Sequence, residues 1–247
     1  FMFFVGTYCA RPQFVYGWSN LGNTQVALGF LDEAEESYTK SIDLCKIQEE
    51  QLNSNTDTNV LFGTTKPCED LYVLYLNRGT TRLAQNTNSS TRKKKGEALS
   101  DLEEAAKLRR QPDVIVLQNR ARGRELNGLY ELADADYDVA ISMSKDGVAP
   151  FWLRAALVKF QLNRMTEALS LIRRVEQRFP EAPEVRAALA ALYNAMGDTA
   201  GARQKFLEIP NVARLNYSNP TYVTQTIAWP PTALYHIALV AKDSVDT

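Results

Sequence analysis

The sequence has few of the residues from which catalytic and metal sites are built. Its 247 residues include one histidine, His236, and three cysteines that lack metal-ligand spacing. There is no second histidine, no nucleophile motif and no acid pair at a defined spacing. We therefore expect no enzyme activity, no metal and no cofactor, and we expect His236 to be a core or surface residue.

The sequence also lacks a strong charge of one sign and a long apolar run. Its formal net charge is −1, which does not indicate general attraction to nucleic acid or to an anionic membrane. No run is long enough to span a bilayer, so any membrane association is expected to be peripheral and to go through a protein complex. Hydrophobic residues still make up 45% of the chain, which suffices for a packed core.

The three cysteines, Cys9, Cys45 and Cys68, all lie in the first third of the chain. An odd number without a regular spacing does not indicate a disulfide framework. We expect buried or incidental thiols, and one bridge stays open as an alternative.

What the sequence does have is a regular spacing of small and large residues. In "WSNLGNTQVALGFLDEAEESY", residues 18–38, Trp18 is followed by Gly22, Gly29 and Ala34, and the same order returns in units of 34 residues. Small residues allow two antiparallel helices to approach closely, and large ones fill the space around them. The pattern predicts consecutive helix-turn-helix units at 15–48, 72–113, 114–147, 149–182 and 183–216.

The remaining segments are placed around these five units. Residues 1–14 form an irregular lead, and 49–71 form a connector whose latter part is expected to be a loop. The second unit carries a seven-residue insertion within "AQNTNSSTRKKKG". The tail, 217–247, is expected to hold a short helix over 232–241 that caps the array, as the terminal units of solenoids require.

These units resemble the tetratricopeptide repeat family, whose 34-residue motif is W-L-G-Y-A-F-A-P. Individual copies are degenerate, since Gln25 replaces the aromatic residue at position 11 and Arg186 replaces the tryptophan at position 4. The resemblance implies an all-α fold, a right-handed α-solenoid of about five units with a C-terminal capping segment. It also implies a non-enzymatic scaffold for protein–protein interaction.

In that family the first helices line a concave groove, into which positions 2, 5, 6, 9 and 12 point. Asn20, Asn77 and Asn119 share position 6, where amides can pair with the backbone of an extended peptide. Bonds from these amides to a neighbouring helix or to water are the open alternative. The residues expected to bind a partner in the groove are Tyr16, Asn20, Asn23, Asn77, Asn119, Arg122, Leu153, Arg154, Leu157 and Phe160.

The insertion holds a local run of basic residues, Lys93, Lys94 and Lys95. Such runs are usually solvated, and the alternative is a contact with an acidic protein surface. An RNA-binding helical repeat is disfavoured, because RNA readers carry a basic groove and here Glu125 and Glu184 lie in it.

A second resemblance covers residues 119–231, about half the chain. "NRARGRELNGLYELADADYDVAI" and the closing "YSNPTYVTQTIAWPP" are similar to tetratricopeptide proteins of plant and algal chloroplasts. This resemblance implies a thylakoid-associated subunit or assembly factor of a photosystem, with photosystem or light-harvesting subunits as partners. Two alternatives stay open: a docking or regulatory module of an enzyme, and a general peptide-binding adaptor outside the chloroplast, with the cytoplasm as the alternative location.

Overall fold

A computed structural model describes residues 14–54, 68–86, 92–144 and 147–244. Within these ranges the chain forms α-helices and one π-helical turn, and no strand. The expected all-α fold of helical repeats is therefore confirmed. The elements are α1 Val15–Ala27, α2 Leu31–Ser54, α3 Leu71–Asn86, α4 Arg92–Leu108, α5 Val114–Leu126, α6 Tyr130–Met143, α7 Phe151–Gln161, α8 Met165–Arg178, α9 Pro183–Ala195, α10 Thr199–Leu207, α11 Asn211–Tyr217, the π-helical turn Tyr222–Thr226 and α12 Pro231–Asp243.

The chain divides into two compact units, Phe1–Pro112 and Asp113–Thr247. In the first unit, α1 packs on α2 and α3 packs on α4, and α2 of one hairpin contacts α3 of the next. In the second unit, the hairpins are α5–α6, α7–α8 and α9–α10, joined through α6 with α7 and α8 with α9. Each unit is thus a stack of helix hairpins, as an α-solenoid requires.

The two helices of a hairpin meet where the sequence places a small residue. A Cβ atom added to Gly22 would lie 2.8 Å from the Tyr38 ring, and one added to Gly79 would lie 2.9 Å from Leu102 Cγ. Real Cβ atoms do not approach other atoms so closely, so these positions set the spacing of the helices. The small residues of the facing helices are buried, with at most 1% of their surface exposed: Ala34, Ala98, Ala133, Ala168 and Ala202.

A left-handed residue links the first helix of a hairpin to the second. Gly29 has φ +81° and the equivalent Asn163 has φ +61°. Glycine has no Cβ to oppose this backbone, and asparagine tolerates it better than most residues do. The Gly or Asn at repeat position 15 therefore fixes where α1, α5, α7 and α9 end.

Ion pairs link consecutive hairpins within each unit. Arg82 Nε donates to Glu35 Oε1 at 2.7 Å, and Lys159 Nζ donates to Asp134 Oδ1 at 2.8 Å. Both cations stand at repeat position 11, where the family motif has an aromatic residue, and both acids stand at position 21 of the preceding repeat. Lys159 and Asp134 are buried, so this pair is shielded from solvent.

Two segments are partly helical: the first part of the 49–71 connector, whose latter part is the predicted loop, and the basic run, which is predicted to lie in a solvated loop. Helix α2 continues to Ser54, into the expected 49–71 connector, because "EEQLNS" contains no Gly or Pro that would end it. The basic run lies in the first turn of α4 instead of a loop. Lys95 is half-buried there, whereas the side chains of Lys93 and Lys94, like the lead at 1–13, lie outside the described residues.

Cys45 and Cys68 are joined by a disulfide, with their Cα atoms 5.8 Å apart. The bridge ties α2 to the turn just before α3, across 23 residues of sequence. The expectation of incidental thiols is wrong for this pair. Hairpin stacking brings the two cysteines together, and their spacing along the chain does not show this. Cys9 lies outside the described residues.

Replacing Ala202 with Phe is expected to lower the free energy of unfolding by about 1–3 kcal/mol, because the larger ring overpacks the α9–α10 contact. Ala168→Phe tests the preceding hairpin in the same way. Ala200→Phe is the matched control, since Ala200 is exposed on the same helix and should change stability by less than about 0.5 kcal/mol. Urea unfolding followed by circular dichroism measures all three, and equal midpoints would contradict the helix packing described.

Replacing both Cys45 and Cys68 with Ser is expected to lower the free energy of unfolding by about 2–4 kcal/mol, because the bridge restricts the unfolded chain. Thermal unfolding with and without reductant measures the loss, and Cys9→Ser serves as the control variant. Alkylation of Cys45 and Cys68 in the native, unreduced protein would show that the bridge does not form.

Candidate functional site

The first helices of unit 1, α1 and α3, contact each other and present polar side chains. Asn77 Nδ2 donates to Asn23 Oδ1 at 3.3 Å, and the buried Tyr38 donates its hydroxyl to the same oxygen at 2.7 Å. Asn23 is exposed, and Asn77 is half-buried. Amides of neighbouring hairpins therefore meet on an accessible face.

Two further predicted residues lie on α1 beside this contact. Asn20 is one helical turn before Asn23 and is exposed, and Tyr16 is 42% exposed one turn earlier. Residues three and four apart share one face of a helix. We name the surface formed by Tyr16, Asn20, Asn23 and Asn77 the amide face of unit 1.

In unit 2 the first helices are covered by the C-terminal tail of the same chain. Helix α12 packs against α7 and α9, the first helices of two hairpins, and also against α10 at the end of the stack. Its apolar side is buried there, through Ala233, Ile237, Val240 and Ala241. The tail thus covers an inner face in addition to capping the end.

This packing corrects three of the expected groove residues. Leu157 and Phe160 have no exposed surface, and Leu153 is 5% exposed. The Phe160 ring lies 5.8 Å from the ring of His236 on α12. These side chains belong to the core of unit 2 and are not accessible to a partner, because the apolar side of α12 fills the space in front of α7.

Two arginines of the expected groove bind the backbone of the tail. Arg122 donates to the carbonyl oxygen of Ile227 at 3.0 Å and to that of Ala228 at 3.2 Å. Arg154 donates to the same Ala228 oxygen at 2.8 Å. The arginines of α5 and α7 therefore donate hydrogen bonds to two consecutive carbonyl groups of an irregular segment. A bound peptide would offer carbonyl groups of the same kind.

Side chains on either side of these carbonyls complete the contact. The indole N–H of Trp229 donates to Glu184 Oε1 at 2.9 Å, and Trp229 is only 4% exposed. The backbone N–H of Thr232 donates to Gln161 Oε1 at 2.8 Å. We name the surface formed by Arg122, Glu125, Arg154, Gln161 and Glu184 the tail-binding face of unit 2.

Glu125 is buried at the centre of this face. Its Oε1 lies 2.8 Å from both Arg122 and Arg154, and the Tyr137 hydroxyl donates to its Oε2 at 3.2 Å. Loss of solvation raises the pKa of Glu125 to about 7, outweighing the attraction of Arg122 and the Tyr137 hydrogen bond. The carboxyl group holds both arginines in position for the tail carbonyls.

The remaining predicted residues have other partners. Asn119 Nδ2 donates to the carbonyl oxygen of Ile115, one turn earlier on its own helix, at 2.8 Å. His236 Nδ1 is hydrogen-bonded to Asn194 Oδ1 at 2.8 Å, and burial lowers the pKa of His236. His236 therefore helps to dock α12.

Neither a metal centre nor a bilayer span is visible in the part of the chain that the structure describes. No three His, Cys, Asp or Glu side chains are grouped there so that they could hold a metal ion. No helix among the described residues combines the length and the apolar character that crossing a membrane requires.

Sequence reasoning identified Arg122 and Arg154 but missed what they bind. The signal lay in the tail itself, where Trp229 precedes Pro230 and Pro231. Two prolines favour an extended backbone and prevent a helix from continuing through them. An apolar, extended segment directly after a helical array was therefore a candidate occupant of that array.

Comparisons with known protein families find tetratricopeptide repeats in both units. Models described as "Tetratricopeptide repeat" match residues 15–47 and residues 159–218. No curated protein matches the sequence.

Solved structures with a similar fold are also tetratricopeptide proteins. One is YrrB, described as a tetratricopeptide protein with an unusual peptide-binding site, with a TM-score of 0.60 and 12% identity over 86% of this chain and 95% of that one. Another is a tetratricopeptide protein from Parabacteroides merdae, with a TM-score of 0.58 and 20% identity over 94% of this chain and 80% of that one. At these identities the similarity shows a shared fold.

Replacing Glu125 with Gln is expected to flatten the dependence of stability on pH. The pKa of about 7 in the folded protein exceeds the ordinary value of 4.5, so the folded state binds this proton more tightly than the unfolded state does. The free energy of unfolding should therefore fall as the pH rises from about 4.5 to 7, by at most about 3 kcal/mol.

Urea unfolding of wild type and Glu125→Gln at several pH values between 5 and 8 measures this difference. Glu176→Gln, at a half-exposed acid of α8, controls for the loss of one carboxyl group. Parallel pH profiles for wild type and Glu125→Gln would contradict the expected titration of Glu125.

Proposed function

Starting from the tetratricopeptide repeats that match in both units, we propose that this protein is a non-enzymatic scaffold that binds other proteins. The observation that carries the proposal is the amide face of unit 1, where Asn23 and Asn77 meet across two hairpins. The first helices of unit 2 are covered by the tail, so unit 1 offers the accessible face.

The chemistry of the amide face suits an extended segment of a partner. The Asn23 oxygen already accepts from Tyr38 and Asn77, so Asn23 can offer its N–H donors to the C=O groups of a backbone. The amide oxygens of Asn20 and Asn77 can accept from the backbone N–H groups. Tyr16 adds an exposed ring at the end of the row. YrrB, which has a similar fold, is described as having a peptide-binding site, and a peptide segment is the class of ligand that we propose here.

We further propose that the scaffold acts at the thylakoid membrane, as a subunit or assembly factor of a photosystem. The support for this location is the resemblance of residues 119–231 to chloroplast tetratricopeptide proteins. The partners would be photosystem or light-harvesting subunits, bound through protein contacts.

A photo-crosslinking amino acid at position 20 is expected to capture the partner, because Asn20 is exposed on the amide face. The same amino acid at position 40 is the control, since Lys40 is exposed on α2, the second helix of the same hairpin. Each labelled protein is incubated with isolated thylakoids and, separately, with a soluble extract, and the adducts are identified by mass spectrometry.

Specific adducts from position 20 that are reduced by Asn77→Ala would support binding through the amide face. Adducts from position 40 alone, or an equal set from both positions, would contradict it. Photosystem subunits among the thylakoid adducts would support the location. Adducts found only with the soluble extract would overturn the location and leave the scaffold proposal intact.

A further inference from the structure

The tail-binding face of unit 2 has the features of a peptide site that is already filled. Arg122 and Arg154 bind two consecutive carbonyl groups, and Glu184 accepts the N–H of the tryptophan that follows. All three side chains come from first helices of the repeats. Such contacts recognise an irregular backbone and one aromatic side chain, and they are independent of whether that segment belongs to the same chain.

The segment that leads into the site is largely exposed, whereas Trp229 at the site is buried. Residues 218–230, which we name the strap, connect α11 to α12. Within the strap, residues 218–221 and 224–226 are exposed. The buried side chains of Val223 and Trp229 hold the strap, whereas α12 has its own anchors in Ile237 and Val240.

The backbone of the strap is strained at the site itself. Ala228 has φ +46°, in the left-handed region that an alanine rarely adopts. Its carbonyl oxygen is the one that both arginines bind. A conformation of this kind persists only where the surroundings impose it, and here the tethers at α11 and α12 and the two arginines do so.

From these observations we infer that the tail-binding face of unit 2 is a second peptide site, occluded by the strap and able to accept a partner segment in its place. The ligand is an extended segment with a small residue followed by Trp-Pro, like the strap's own Ala228, Trp229 and Pro230. Displacement exchanges the carbonyls of Ile227 and Ala228 for those of the partner, while α12 stays docked. The inference rests on the proposed scaffold function and names the ligand class for its second unit.

The matching probe is a fluorescent peptide with the sequence of residues 226–232, TIAWPPT, which covers the end of the strap and the first two residues of α12. The control peptide is TIAAPPT. Both are titrated into the full chain by fluorescence anisotropy. Trp229→Phe keeps an aromatic ring but loses part of the indole and its N–H to Glu184, so it should raise the fraction of protein with an open site. Because apparent affinity scales with that fraction, TIAWPPT should bind Trp229→Phe at least tenfold more tightly than wild type.

Tyr235→Phe is the matched control variant, since it changes an exposed aromatic of the same tail and should bind TIAWPPT as wild type does. TIAAPPT should bind none of the proteins, because it lacks the indole. If Trp229→Phe is poorly folded by circular dichroism, Val223→Ala replaces it, since the buried Val223 holds the strap and lies outside the tail-binding face.

No binding of TIAWPPT to a folded loosened variant would show that the strap is a permanent part of the fold, and would overturn the inference. Equal binding of both peptides would overturn the recognition of Trp-Pro. Concentration-dependent dimers of the loosened variant that resist excess TIAWPPT would make a second copy the occupant and overturn a partner segment. None of these results alters the crosslinks expected from the amide face of unit 1, so the two proposals fail separately.

Discussion

Every hairpin in this protein depends on the close approach of two helices at a small residue. Where Gly22 faces Tyr38, there is no space for even one added methyl group. This approach fixes which sides of the two helices are buried together, and it thereby fixes which side of each first helix remains for other contacts. Both the amide face and the tail-binding face are consequences of that constraint.

The link between hairpins is ionic in places where the family motif expects an aromatic residue. The buried pair of Lys159 and Asp134 gives up solvation when it forms, so we expect its main effect to be on specificity rather than on stability. A buried cation accepts few alternative neighbours. The pair therefore favours one register between successive hairpins, and it replaces the shape complementarity that an aromatic residue at position 11 would supply.

The same repeat serves different purposes in the two units. In unit 1 the first helices carry amides, with Asn23 and Asn77 accessible. In unit 2 the first helices carry arginines and apolar residues, and the chain's own tail covers them. In the scaffold that we propose, the amide face is directly accessible, and the tail-binding face lies behind a segment whose backbone is strained at Ala228.

The sequence by itself determined the helical-repeat fold, because the small residues that control helix approach, such as Ala168, and the turn residues, such as Gly29, act through neighbours within one repeat. It also predicted that Arg122 and Arg154 point into the groove, since the position of a residue in the repeat sets the direction of its side chain. Only the tertiary structure decided what those arginines bind, and that Phe160 is covered. These contacts join residues about 70 to 106 positions apart. A periodic sequence pattern cannot predict such contacts. They arise because the tail folds back over a face that the repeats form.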